Sequence, residues 1–94
     1  MRIRWTRPAL RDVSDILEYL AERDVRAAAA LAEAMERLVD LLREHPASGR
    51  HGRVEGTREL VISGLPYIVA YRVSGSDIEV LAVRHAARLW PDSL

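Results

Sequence analysis

The chain has 94 residues, 49% of them hydrophobic and 30% charged, a balance that fits one folded domain over residues 1–94 and excludes a largely disordered chain. Fourteen basic and fourteen acidic residues cancel to a net charge of zero, which excludes a protein that coats nucleic acid through bulk charge. Any anionic partner must be met by a local patch.

Cysteine is absent, so disulfides, thiolate nucleophiles and Cys-based zinc sites are removed from consideration, and His45, His51 and His85 do not suffice for an all-histidine cage. No metal and no cofactor are expected. No apolar run approaches the roughly 20 residues that span a bilayer. The start, Met1-Arg2-Ile3-Arg4-Trp5, lacks the apolar stretch of a secretion signal, so the cytoplasm is the expected location, with no membrane partner. All fourteen basic residues are arginine. A GC-rich host accounts for that, and arginine chemistry becomes relevant only where the side chains converge in space.

In chain order, Arg2 to Trp5 alternates polar and apolar and predicts a short strand. Thr6-Arg7-Pro8 reads as a helix start, with Thr6 as cap and Pro8 in a first turn that has no use for its missing N–H. Leu10, Val13, Ile16, Leu17 and Leu20 then recur at helical spacing and predict a core-facing helix. Asp24 can cap a second helix, striped by Ala28, Leu31, Met35, Leu38 and Leu42 and ended by Pro46. Pro46 to Gly56 has no period and reads as a loop, with Arg50, His51 and Arg53 expected in solvent. Three antiparallel strands follow, Thr57 to Ile62, Tyr67 to Val73 and Ile78 to Arg84, separated by Gly64-Leu65-Pro66 and Ser74-Gly75-Ser76-Asp77. The last of them is apolar on both faces. The expected fold is therefore α+β in the order β-α-α-β-β-β, a helical hairpin on one face of a small, mainly antiparallel sheet.

Glycine-rich phosphate loops, HExxH and GxSxG are all missing, which excludes the common cofactor enzymes, zinc proteases and serine hydrolases that those motifs mark. The carboxylates Asp12, Asp15 and Glu18 read as a solvated helix face with no catalytic role. The chemistry-bearing stretch is Val83-Arg84-His85-Ala86-Ala87-Arg88-Leu89-Trp90-Pro91, which a three-stranded meander can bring near Arg58 and Arg72. Alternation places Arg84 and His85 on opposite faces if the strand runs that far. His85 reads either as an ordinary sheet-end histidine or as a general acid or base. Trp5 and Trp90 read as anchors, and Tyr67 and Tyr71 as residues packed within the sheet.

Three stretches, taken with the element order, resemble the RelE/ParE toxin superfamily, which includes plasmid stabilisation proteins. They are Pro8-Ala9-Leu10-Arg11-Asp12 through Asp15-Ile16-Leu17-Glu18-Tyr19-Leu20, then Gly56-Thr57-Arg58-Glu59-Leu60, and finally Tyr67 to Val73 with Val80 to Arg88. The resemblance implies a growth-arresting toxin of a type II toxin–antitoxin system. A cognate antitoxin with a DNA-binding N-terminal part and a flexible tail would neutralise it, with Leu17, Tyr19 and Leu20 as candidate contacts and strand addition at a sheet edge as a second mode. ParE-like members inhibit DNA gyrase; RelE-like members cut mRNA in the ribosome with basic and aromatic residues on the sheet. The candidate target surface is Arg72, Arg84, His85, Arg88 and Trp90, and a nuclease would draw its catalytic set from Arg58, Arg84, His85 and Arg88.

The nuclease pattern is incomplete here. Leu60 stands where a second basic residue is expected, Ile68 where an arginine is expected, and Trp90 is the nearest aromatic to a missing terminal tyrosine. Each absent charge-stabilising group costs a nuclease about 2–4 kcal/mol of transition-state binding. The long second helix and the stretch from Asp15 to Tyr19 look closer to ParE, so gyrase inhibition is the favoured expectation. An inert binding protein that has kept the fold is the third.

Overall fold

The computed structural model describes residues 1–62 and 64–87. Its elements are β1 (Arg2–Trp5), α1 (Arg7–Arg23), α2 (Val25–Glu44), β2 (Arg50–His51), β3 (Arg58–Val61), β4 (Tyr67–Ser74) and β5 (Asp77–His85). The strands form one sheet in the order β1-β5-β4-β3-β2. β1 runs parallel to β5, and the other pairs are antiparallel. The parallel pair follows from the helical hairpin, which carries the chain back across the sheet between β1 and the meander.

The hairpin is set by two capping residues legible in the sequence. Thr6 Oγ1 accepts from Ala9 N at 3.3 Å, and Thr6 also donates its own N–H to Val80 O at 3.1 Å, so a single residue ends β1 and starts α1. Asp24 alone joins the helices. Its N–H donates to Leu20 O at 2.6 Å, closing α1, while its Oδ1 accepts from Arg26 N and Ala27 N at 3.1 and 3.2 Å, opening α2. The core is built mainly from α2 (Leu31, Ala34, Met35, Leu38, Leu42) against β4 and β5 (Tyr67, Val69, Tyr71, Ile78, Val80, Val83). Val13, Ile16, Leu17 and Leu20 of α1 are half-buried along its margin.

Two features depart from the sequence reading. The stretch after Pro46 is not all loop: Arg50 and His51 form β2 and pair with Glu59 and Arg58. Arg50 and Arg53 are drawn there by Glu59, whose carboxylate is 3% exposed. It accepts from Arg50 Nη2 at 3.3 Å and from Arg53 N at 2.9 Å, because a charge buried that deeply must be paired and hydrogen-bonded. The buried Tyr71 hydroxyl pins the same stretch, donating to Pro46 O and accepting from Gly49 N, both at 2.8 Å. Gly49 is required there, since a Cβ would sit 2.8 Å from the Tyr71 ring and from Glu59 O.

The second departure is a β-bulge. Ala70 pairs with Ala82 but Tyr71 pairs with Val80, so Leu81 is an extra residue on β5. Alternation along β5 therefore resets: Ile78 and Val80 face the helices, and so do Val83 and His85, while Arg84 starts from the other face. This is why β5 reads as apolar on both faces. Thr6 Oγ1 bonds the carbonyls of the bulged residue and the one before it, Leu81 O at 3.4 Å and Val80 O at 2.8 Å.

Candidate functional site

β1 pairs with β5 only as far as Val80. Beyond that point the outer edge of β5 has no strand neighbour among the described residues, and α1 takes over: Asp12 Oδ2 accepts from Val83 N at 3.0 Å. Where α1 leans on this edge a cavity of about 570 Å³ opens, lined by Asp12, Asp15, Ile16 and Tyr19 from α1, Tyr67 from β4, and Val83, His85 and Ala87 from β5 and its end. The four α1 residues stand at i, i+3, i+4 and i+7, one face of the helix.

Tyr67 and His85 are directly opposed across β4 and β5, and their rings meet edge to face at 5.6 Å and 82°. His85 Nδ1 accepts from Ala87 N at 3.1 Å, so that nitrogen carries no proton in this arrangement and Nε2 is the donor of the neutral ring. Tyr67 is 7% exposed, and its hydroxyl has no hydrogen-bond partner among the described residues. Burial, reinforced by the nearby Tyr19 phenol, holds the Tyr67 pKa above the usual phenol value. It is therefore a neutral hydrogen-bonding group at physiological pH and not a base. Tyr19 is half-exposed, with the Arg23 guanidinium 3.8 Å from its ring centroid.

The pocket is aromatic and acidic. Asp12 is partly offset by Arg84, whose Nε lies 3.6 Å from Asp12 Oδ2 and, though buried, makes no hydrogen bond. Asp15 is exposed and has no ion-pair partner among the described residues. A phosphate held ~4 Å from its carboxylate would meet repulsion of about 4 kcal/mol at an effective dielectric of 20. A cation or a hydrogen-bond donor is favoured instead. Among the described residues no three His, Asp or Glu side chains converge to hold a metal, and no helix is long and apolar enough to cross a membrane.

The arginines singled out from the sequence do not gather around His85. Arg58 is opposite Tyr71, four residues along β4 from the Tyr67–His85 pair, roughly 13 Å at 3.3 Å per residue. Its Nη1 is taken up by Gly49 O at 2.7 Å and Ala47 O at 3.4 Å. Arg72 lies on the sheet face away from the helices, bonded to Glu79 at 3.3 Å. Arg84 and His85 leave the strand on opposite faces, as alternation requires. Arg88 and Trp90 lie outside the described residues. Of the three candidate antitoxin contacts, Leu17 and Leu20 pack against the core and Tyr19 faces outward onto the pocket.

Asp12, Asp15 and Tyr67 escape the sequence reading. The i, i+3, i+4, i+7 stripe of Asp12, Asp15, Ile16 and Tyr19 was a usable signal, but it reads as a solvated face until β5 is placed beside it.

The family model described as "ParE toxin of type II toxin-antitoxin system, parDE" matches residues 3–90. A protein of Sinorhizobium fredii named as a toxin, Y4kP, is 48% identical over 93 residues, 99% of this chain and 96% of its own length. Toxin RelE2 of Caulobacter vibrioides is 35% identical over 85 residues, 90% of this chain and 94% of its own. Among solved structures, a chain of the chromosomal ParDE toxin–antitoxin system from P. aeruginosa superposes with a TM-score of 0.80 at 25% identity, covering 90% of this chain and 95% of that one.

Proposed function

The chain belongs to the ParE toxin family of type II toxin–antitoxin systems, with a cognate antitoxin as its partner, and from that premise we propose that it arrests growth by binding and inhibiting DNA gyrase, with no hydrolytic step of its own. Residues 1–94 act as a single toxin domain in the cytoplasm, and the working surface is the α1–β5 end of the sheet, where His85 and Arg84 diverge around Asp12.

One observation carries this reading: among the described residues, the groups a ribonuclease would need to converge on a phosphodiester are separated, and the arginines are already paired. Arg58 donates to the carbonyls of Ala47 and Gly49, Arg72 bonds Glu79, Arg84 is ion-paired with Asp12 without a hydrogen bond at its Nε, and His85 opens onto a pocket whose carboxylates repel phosphate. A surface that binds a protein target needs no such convergence. It needs complementary shape and charge, and it loses affinity stepwise as contacts are trimmed.

The test is DNA supercoiling by purified gyrase with antitoxin-free protein added, beside a translating-ribosome reaction scored for mRNA cuts. Lost supercoiling with trapped cleaved DNA and intact mRNA is the expected result, with His85→Ala and Arg84→Ala raising the concentration needed by about three- to thirtyfold each. Cut mRNA with normal supercoiling would overturn the reading and return Arg58, Arg84, His85 and Arg88 as a catalytic set. Undisturbed growth of cells producing the protein without antitoxin would leave only the inert binding protein.

A further inference from the structure

The pocket between α1 and the end of β5 combines groups that share one ligand preference. Asp15 supplies a carboxylate with no ion-pair partner among the described residues, Asp12 a second acceptor, and Tyr19 and Tyr67 two aromatic rings. The Tyr67 hydroxyl is unbonded among the described residues, and Tyr67 lines the pocket. A phenol oxygen without a partner can accept a hydrogen bond from a ligand's donor. Cations are drawn to the faces of tyrosine rings, as Arg23 already is to that of Tyr19. A planar cation with several N–H donors satisfies the carboxylate, the ring faces and the phenol oxygen together. The volume of about 570 Å³ accommodates a whole side chain together with part of the backbone that bears it.

We propose that this pocket is the receptor for a basic side chain, arginine in preference to lysine, on the tail of the cognate antitoxin. The inference rests on the antitoxin partnership and is independent of the toxin's target. Three residues divide the work: Asp15 takes the charge, Tyr67 accepts one N–H at its hydroxyl, and the exposed ring of Tyr19 covers the cation from the solvent side. Arginine is preferred because its donors lie in one plane and can reach a carboxylate and a phenol oxygen at once, whereas an ammonium is a point charge on a flexible stem. Seating that side chain also covers His85, so the contact that holds the antitoxin would mask part of the working surface.

The experiment has two arms, both run without gyrase or ribosomes, so that a wrong target leaves its outcome unchanged. In the first, N-acetyl-arginine amide is titrated into the free protein while the Tyr67 and His85 ring signals are followed by NMR. Both signals should move, Asp15→Asn should weaken the effect about five- to tenfold, and N-acetyl-norleucine amide should leave them still. Equal shifts with the norleucine probe would overturn the cation preference. In the second, the antitoxin's tail arginines and lysines are replaced singly by methionine and each is combined with Asp15→Asn and with Tyr67→Phe in the complex. One position should be non-additive with both toxin variants by about five- to tenfold in Kd, and the rest additive. Additivity at every tail position would overturn the antitoxin as occupant, even if the free probe binds. Asp15 is exposed and Tyr67→Phe keeps the ring, so both variants should fold.

Discussion

β5 passes through two environments. From Asp77 to Val80 it is flanked by strands on both sides, and its outward carboxylates are matched: Asp77 takes Arg2 at 3.0 Å, and Glu79 takes Arg4 at 2.6 Å and Arg72 at 3.3 Å. From Val83 to His85, past the bulge, β1 is gone, a helix side chain replaces a strand at the edge, and the matching fails. Arg84 Nε is buried without a hydrogen bond, Asp15 has no ion-pair partner among the described residues, and the Tyr67 hydroxyl is unbonded among them. A net charge of zero thus hides an uneven distribution. Where sheet pairing is regular the polar groups satisfy one another, and where it ends they are left with capacity for a partner.

The sharpest way to break this comparison is to insert an alanine after Leu81. A further residue that continues the strand shifts its parity by one, turning Val83 away from the core and Arg84 toward the face of Tyr67. A loss of at least ~3 kcal/mol is expected, the range of a displaced core side chain, read as a lower urea midpoint together with loss of toxicity. A midpoint within ~0.5 kcal/mol of the parent would mean that the bulge takes up the added residue and that strand parity is not what orients this end.

A smaller effect is expected from Asp12→Ala, which strips the acceptor from Val83 N–H and leaves the Arg84 guanidinium without its carboxylate. About 1–3 kcal/mol should be lost. Asp12→Asn, which keeps an acceptor oxygen, should lose less, and Glu79→Gln in the matched half about 0–1 kcal/mol. Thermal midpoints of the three variants rank them; equal losses would erase the distinction between the two halves.

The smallest effect is a pH dependence at the matched end. The hydrogen bond from Arg2, with a further contribution from the charges of Arg2 and Arg4, outweighs desolvation and holds the Asp77 carboxyl below its ordinary pKa. Because the folded pKa is the lower one, the stabilisation is complete above the ordinary aspartate pKa of about 3.9 and is lost as pH falls through the lowered folded value. Wild type and Asp77→Asn should therefore differ slightly in denaturation midpoint at neutral pH and converge in acid. A gap that persists below that range would assign the difference to something other than ionisation.

Much of the architecture was legible in order. Thr6 and Asp24 announce the helix starts because their side chains have a local task, bonding N–H groups two or three residues on. The two-residue turn between Ser74 and Asp77 is equally local, with Gly75 taking a φ of +59° at the first position, where such hairpins favour glycine. β2 was not legible, because its reason lies outside Arg50 and His51: a buried Glu59 and the Tyr71 hydroxyl hold that stretch against β3. The candidate site was half legible. His85 and Tyr19 stand out as residues, but nothing in their spacing says that they share a cavity.

The sequence by itself determined the order of elements, the caps, the apolar stripe of α2 and the family, since each depends on residues close along the chain or on a pattern spread over all of it. Only the tertiary structure decided which side of β5 each terminal residue faces. One extra residue, Leu81, reverses the parity of everything after it, and whether a strand absorbs a residue as a bulge depends on its neighbours, here β4 and the Thr6 hydroxyl bonded to the carbonyls of Val80 and Leu81. That reversal puts His85 beside Tyr67 and Asp15, and sends Arg84 to the other face.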